Sequence, residues 1–213
     1  MIRLLLVDDH PIVRRGLCAV LQSAEDCIVI DEASDGEEAL PKARQGKPDL
    51  VLLDLSLPGK SGLEVLKQLQ VELPRTKVLV LSGFPEKQYA VRCLRAGAHG
   101  YITKRSAPDE LLDAIRKVAQ GRKYVSASIA ELLVETVSAS PGRSPHEELT
   151  DREFQILCLL GEGKTVSQIA RLLSLGLSTI NTHRSHILGK MKMETTAQVI
   201  RYAVDNDLVD RKS

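Results

Sequence analysis

Five short apolar runs alternate with five stretches of helical apolar spacing in the first 120 residues, and this alternation constrains the fold more than any other feature. The runs are Ile2–Val7, broken only by Arg3, then Ile28–Ile30, Leu50–Leu53, Val78–Leu81 and Tyr101-Ile102. They lack the polar alternation of a strand with one wet face, so they predict strands buried on both faces. Between them, apolar residues recur at helical spacing, as in Ile12, Val13, Leu17, Val20 and Leu21. Helix-opening chemistry precedes each such stretch: Pro11, then Asp35-Gly36-Glu37-Glu38 with Pro41 near the helix start, then Ser61, Pro85 and Pro108. Gly97 and Gly121 stop the last two helices. Strands that alternate with helices pair in parallel through right-handed crossovers. The predicted class is α/β, a five-stranded doubly wound parallel sheet.

The polar residues of this half gather where the strands end. Asp8 and Asp9 end the first strand, Asp54 the third, Ser82 the fourth and Lys104 the fifth. The carboxyl edge of an open α/β sheet is where ligands bind. Three carboxylates in one place repel, so a hard divalent cation is their expected partner. Mg2+ takes carboxylates, waters and phosphate oxygens. Asp9 and Asp54 are the expected ligands, with Asp8 binding directly or through water and the Ser56 backbone carbonyl in reach. Asp54 is then a nucleophile that accepts a phosphoryl group. Lys104 supplies positive charge to that group, and the Ser82 hydroxyl donates to it. Phosphoryl transfer asks mainly for positioning and charge neutralisation, which these parts provide. Singly, each residue fits cap or turn chemistry; jointly, at the ends of four strands, chance explains them poorly.

Other chemistries find less support. The net charge of +1, with 43% hydrophobic and 27% charged residues, describes a soluble globular chain with no overall pull toward nucleic acid or membrane. Cys18, Cys27, Cys93 and Cys158 form no metal-binding or CxxC pattern and read as reduced buried thiols. The N-terminus enters a strand at once and reads as no signal peptide, and no apolar run is long enough to span a bilayer. Gly59-Lys60-Ser61 and Gly163-Lys164-Thr165 imitate the end of a P-loop, but Asp54 and Cys158 stand where its first glycine belongs.

Gly121 to Val137, with Ile129, Leu132, Leu133 and Val137, predicts a further helix, and beyond it the run Ser138–Pro145 is small, polar and punctuated by proline, as a flexible linker is. The last segment predicts four short helices. The first opens on Thr150 with Glu153 three residues on, a capping box. The second covers Thr165–Leu173, the third runs from a Ser178 cap to Met191, and the fourth spans about Thr195 to Val204. A tight turn at Leu175-Gly176-Leu177 separates the second and third, the pattern of a helix-turn-helix. From Gly161 to Met193 there are five basic residues (Lys164, Arg171, Arg184, Lys190, Lys192) and one acid, Glu162, so the neutral whole conceals a basic patch. The third helix carries Ser178, Thr179, Asn181, Thr182, His183, Arg184 and Ser185 along its first turns, with Lys190 further on. Asparagine pairs with adenine, and arginine with guanine or phosphate, in the major groove.

Leu6-Val7-Asp8-Asp9-His10, the Asp54 strand with Leu57-Pro58-Gly59, Ser82, and Gly97-Ala98 through Gly100-Tyr101-Ile102-Thr103-Lys104 resemble the receiver domain of a two-component response regulator, a flavodoxin-like fold. Leu149–Glu153, Ile169–Leu173 and Ser178–His183 resemble the LuxR-type DNA-binding domain. Together they cover nearly all of the chain outside the connector and resemble the NarL/FixJ class. The resemblance implies phosphorylation of Asp54 by a sensor histidine kinase with Mg2+, a switch pair of Ser82 and Tyr101, and regulation of promoter DNA by a cytoplasmic homodimer. The dimer would form through the last helix near 194–204, with the receiver as a second candidate surface. The domains expected are a receiver at 1–121, a connector at 122–148 and a small all-α helix-turn-helix domain at 149–210. Three features depart from the family pattern: Arg105 follows the lysine where proline is common, Asn181 stands at a frequently basic position, and Gly161–Ser167 differs from the usual start of the second helix. One alternative is a DNA-binding protein whose receiver works by contact alone. Another is a phosphatase, which ordinarily needs an aspartate two residues after its nucleophile; that position holds Ser56.

Overall fold

The computed structural model describes residues 1–84, 86–127, 129–131, 133 and 144–209. The chain divides into two compact units, residues 1–133 and 134–213.

In the first unit the strands β1 (Ile2–Val7), β2 (Cys27–Ala33), β3 (Leu50–Leu53), β4 (Lys77–Ser82) and β5 (Gly100–Thr103) form one sheet in the order β2-β1-β3-β4-β5. Every pairing is parallel. The helices between them are α1 (Pro11–Gln22), α2 (Gly36–Gly46), α3 (Gly62–Glu72), α4 (Glu86–Arg95) and α5 (Pro108–Ala119). Side chains alternate across a strand, so Leu4, Leu6, Leu50, Leu52, Leu79, Leu81 and Ile102 share one face. They form a single buried cluster with Leu21 of α1 and with Leu111, Ala114, Ile115 and Val118 of α5. The intervening Leu5, Val7, Val51, Leu53, Val78, Val80 and Tyr101 are buried as well and belong to the opposite face. A sheet wet on neither side tolerates unbroken apolar strands, which is the physical reason for the runs.

Two elements differ from the sequence expectation. Strand β2 is longer than Ile28–Ile30 and takes in Asp31 and Glu32. It is an edge strand, where exposed carboxylates cost little, and Arg14 of α1 reaches Glu32 at 3.2 Å. Pro41 lies at the sixth position of α2 rather than near its start, forfeiting the N–H that would reach Glu37. Asp35 caps that helix by accepting from the Glu38 amide at 2.8 Å.

The second unit contains a short 3-10 turn (Pro145–Glu148) and the helices α6 (Asp151–Gly161), α7 (Val166–Leu172), α8 (Leu177–Met191) and α9 (Thr196–Asp205). Capping boxes open three of them: Thr150 with Glu153, Thr165 with Gln168 and Thr195 with Gln198. Its core is built from Phe154, Ile156, Leu157, Ile169, Ile180, Ile187, Val199 and Ala203, all buried. Ser178 does not cap α8. The extended residue is Gly176, and Ser178 sits inside the first turn. The helix expected from Gly121 to Val137 is not formed over its first residues: 121–126 are not helical, and Tyr124 bridges to Gly100 beside β5. Residues 127, 129–131 and 133 are helical, and the rest of that stretch and positions 138–143 of the expected linker lie outside the described residues. Among the described residues no helix is long and apolar enough to cross a membrane.

Candidate functional site: an acidic pocket and a polar helix face

Parallel pairing in register delivers the acidic residues to one place. Val7 pairs with Leu53, so the residues that follow each, Asp8 and Asp54, leave adjacent strands together. The Asp54 amide donates to the Val7 carbonyl at 2.8 Å, and the Asp8 amide to the Ala33 carbonyl at 3.1 Å. Both side chains are buried, Asp54 to 1% exposure and Asp8 to 2%. Lys104, leaving β5, lies with its ammonium 2.7 Å from Asp54 Oδ2 and 2.6 Å from Asp8 Oδ2. Asp54 Oδ1 accepts from the Ser56 amide at 3.1 Å, and Asp8 Oδ1 from the His10 amide at 2.8 Å. Asp9 is partly exposed and meets the His10 ring, with Nδ1 2.6 Å from Oδ1.

The electrostatics follow from burial. Burial pushes the Asp54 carboxyl above the usual carboxylate range and Asp8 adds to this, while Lys104 and the Ser56 amide pull it down. Burial works against the Lys104 ammonium, but Asp54 and Asp8 outweigh it and hold its pKa above the ordinary value. The pocket therefore holds more negative than positive charge in a dry setting. Asp8 Oδ2 and Asp9 Oδ1 are buried oxygens that receive no well-aligned hydrogen bond. One oxygen from each of Asp8, Asp9 and Asp54, and a His10 nitrogen, lie within 4.8 Å of one another. Three carboxylate oxygens at this spacing fit a hard divalent cation such as Mg2+.

Beside the pocket, Ser82 and Tyr101 are fully buried. The Ser82 hydroxyl accepts from the Phe84 amide at 3.2 Å, and the Tyr101 hydroxyl donates to the Phe84 carbonyl at 2.9 Å. Burial drives the Tyr101 phenol well above its usual pKa, with Cys93 adding to this, so it stays a neutral donor. Tyr101 is thus packed inward, with its hydroxyl held by the Phe84 carbonyl. The peptide between Lys104 and Arg105 is trans, as a non-proline peptide ordinarily is.

Sequence reasoning missed Gly62, the first residue of α3. A Cβ there would lie 2.0 Å from the Asp54 carbonyl oxygen and 2.7 Å from the Leu55 Cα. Its amide donates to the Leu55 carbonyl at 3.2 Å, so α3 rests directly on the loop that presents Asp54. The Ser61 capping box with Glu64 fixes that helix end. His10 was noticed only as part of a motif, and adjacency to Asp8-Asp9 was its signal.

On α8 the first turns are open. Ser178, Thr179, Asn181, Thr182 and Ser185 are exposed, and His183 and Arg184 are half-buried. The Thr182 and Ser185 hydroxyls donate to the carbonyls of Ser178 and Asn181, at 3.0 and 3.1 Å. Lys164 lies in the connection before α7, 3.5 Å from Glu162. Lys190, expected as a DNA contact, has its ammonium 2.7 Å from the buried Glu153 carboxylate. Glu153 Oε2 also accepts from the Thr150 amide at 2.8 Å. Burial opposes ionisation of Glu153, but Lys190 and Thr150 outweigh it and hold its pKa below the ordinary value. Glu153→Ala is expected to destabilise this unit by about 2 kcal/mol through loss of the cap and the ion pair. Its melting midpoint should fall by roughly 10 °C, read by calorimetry. An unchanged midpoint would refute the assignment.

Comparisons with known proteins agree with both halves. Residues 4–116 match the response regulator receiver domain, and residues 147–203 match the bacterial regulatory proteins of the luxR family. The chain is 39% identical over 211 residues to the transcriptional regulatory protein LiaR of Bacillus subtilis, covering 99% of this chain and 100% of that one. It is 36% identical over 214 residues to the response regulator GacA of Pseudomonas aeruginosa, covering 100% of both. Among solved structures, the response regulator ChrA of a heme-sensing two-component system is similar at 32% identity and a TM-score of 0.52, over 97% of this chain and 98% of that one.

Proposed function

The chain belongs to the two-component response regulators that join a receiver to a LuxR-type DNA-binding domain, and from that membership we propose that Asp54 is its phosphoacceptor and that a sensor histidine kinase supplies the phosphoryl group. It is a DNA-binding transcriptional regulator and not an enzyme. The observation that carries the proposal is the buried meeting of Asp54 and Asp8 with Lys104, at 2.7 and 2.6 Å.

Asp8, Asp9, Asp54 and the Ser56 carbonyl would hold Mg2+. Bound there, the ion supplies charge neutralisation between the carboxylate and the incoming phosphoryl oxygens. Asp54 presents its carboxylate as the nucleophile, held by the Ser56 amide. Lys104 keeps a fixed positive charge beside the transferred group. The Ser82 hydroxyl turns from Phe84 to donate to that group, and Tyr101 packs behind it. The change is a shift between two packings of the segment around Phe84.

We assign residues 1–121 to the receiver, 122–148 to the connector and 149–210 to the DNA-binding domain. The α8 face with Ser178, Thr179, Asn181, Thr182, His183, Arg184 and Ser185 enters the major groove, and Lys164 adds phosphate contact. Two copies joined near residues 194–204 read a repeated half-site, in the cytoplasm where promoter and kinase meet.

The test is incubation with a small-molecule phosphodonor and Mg2+, followed by promoter binding. One phosphoryl group on Asp54 and a changed DNA affinity are expected. A wild-type protein that takes no label would leave contact-only regulation as the explanation. For the second domain, Arg184→Ala should weaken DNA binding and reduce the steepness of its salt dependence by about one counterion. An unchanged salt slope would remove Arg184 from the phosphate contacts.

A further inference from the structure

The second unit carries a carboxylate–histidine cluster that the receiver chemistry does not use and that shares only His183 with the proposed DNA-reading face. His183 and His186 lie three residues apart on α8, and so on one face. Their rings meet edge to face with centroids 6.5 Å apart. Opposite them stands Glu153 of α6, whose side chain is 3% exposed. One ligand atom from each of the three lies within 4.8 Å of the others.

We propose that Glu153, His183 and His186 bind a borderline divalent cation, Zn2+, tying α8 to α6. The donor set is the first argument. Two imidazoles and one carboxylate suit zinc, whereas magnesium and calcium prefer oxygen alone. The second is spacing. Zinc bonds of about 2.0–2.2 Å in a tetrahedron place two ligands about 3.3–3.5 Å apart. His186 Nδ1 is already 3.6 Å from Glu153 Oε1. The third is the state of the carboxylate. Lys190 and the Thr150 amide both occupy Oε2, which orients the group and leaves Oε1 toward the histidines. An outer partner that fixes a ligand in this way is a usual feature of metal sites. His186, with a side chain 58% exposed, gives the ion an entry path and leaves the fourth position to water.

The test uses full-length protein stripped of metal, titrated with Zn2+ in excess Mg2+ and followed by calorimetry. One Zn2+ per chain is expected. His186→Asn and His183→Asn should each weaken it by at least about tenfold, the lower end of the loss when even an outer partner of a ligand is removed. Asp9→Asn, in the other carboxylate–histidine cluster, should bind as wild type does. Co2+ in place of Zn2+ should give the intense visible bands of a four-coordinate site, lost in His186→Asn while its far-ultraviolet spectrum stays native. In unsubstituted protein, Zn2+ should shift the ring resonances of His183 and His186, a reading that needs no variant to fold. Absence of Zn2+ uptake by wild type, equal affinity in His186→Asn, or a loss that follows Asp9→Asn would each overturn the proposal and leave the cluster a plain ion pair.

Discussion

Asp54→Asn protein is expected to take up no phosphoryl group and yet to melt at a higher temperature than wild type. The first half follows from removing the nucleophile. The second follows from burial. Asp54 is 1% exposed, and burial raises its pKa above the ordinary carboxylate value despite Lys104. A raised folded-state pKa means that the folded state binds its proton more tightly than the unfolded chain does. The stability this contributes is fully present below the unfolded value of about 3.9 and is lost as pH rises through the folded value. Above its folded-state pKa the ionised carboxylate is therefore a burden on the fold. An asparagine of the same shape keeps the acceptor for the Ser56 amide and sheds the charge, and Lys104 retains Asp8. In chelator, the advantage of the variant should be absent in acid, open as pH rises and level off. Added Mg2+ should narrow it, because an ion that binds only the native wild type stabilises that protein alone. A variant no more stable than wild type at neutral pH in chelator would show that Lys104 fully compensates the buried charge.

The second large effect is expected of Gly62→Ala. The new methyl would meet the Asp54 carbonyl oxygen at 2.0 Å and the Leu55 Cα at 2.7 Å. Both are backbone atoms at the end of a buried strand, so the helix must yield. Moving α3 away breaks the Gly62 amide contact with Leu55 and loosens the turn that holds Ser56 against Asp54. Overpacking of this kind costs about 1–3 kcal/mol, and a backbone clash belongs at the upper end. Phosphoryl uptake should fall by tenfold or more, because transfer depends on placement of the nucleophile. Gly16→Ala is the contrast. Nothing lies within 4 Å of a Cβ at that position in α1, so the change should stabilise by about 0.5–1 kcal/mol. Wild-type uptake and stability in Gly62→Ala would refute the close packing of α3 on the Asp54 loop.

The contrast between those glycines marks where the sequence is legible. Alternation of apolar runs with helical spacing locates all five strands; double-sided burial imposes the run in β1, β3, β4 and β5, whereas edge strand β2 is largely half-buried or exposed. The same alternation brings Asp8, Asp54 and Lys104 to one edge, since parallel strands in register must end together. Edge strand β2 was underestimated because Asp31 and Glu32 break the pattern at a place where solvent permits it. Gly62 gives no sign in the sequence, because its role is an approach between two backbone segments eight residues apart, which no residue type announces. Ser178 misleads for a related reason: serine is a common cap, but Gly176 takes the extended conformation and leaves the hydroxyl on the open face. Glu153 was legible as half of a capping box, while its bond to Lys190 spans 37 residues and appears only in three dimensions.

Lys104 carries one more consequence. Its ammonium stands between two buried carboxylates on a tether that cannot diffuse away. The receiver therefore need not wait for an ion from solution before its strands can close over those acids. The resident charge offsets part of the buried negative charge whether or not a cation is bound, so on the proposed function the soluble ion would add to a neutralisation that Lys104 has already begun.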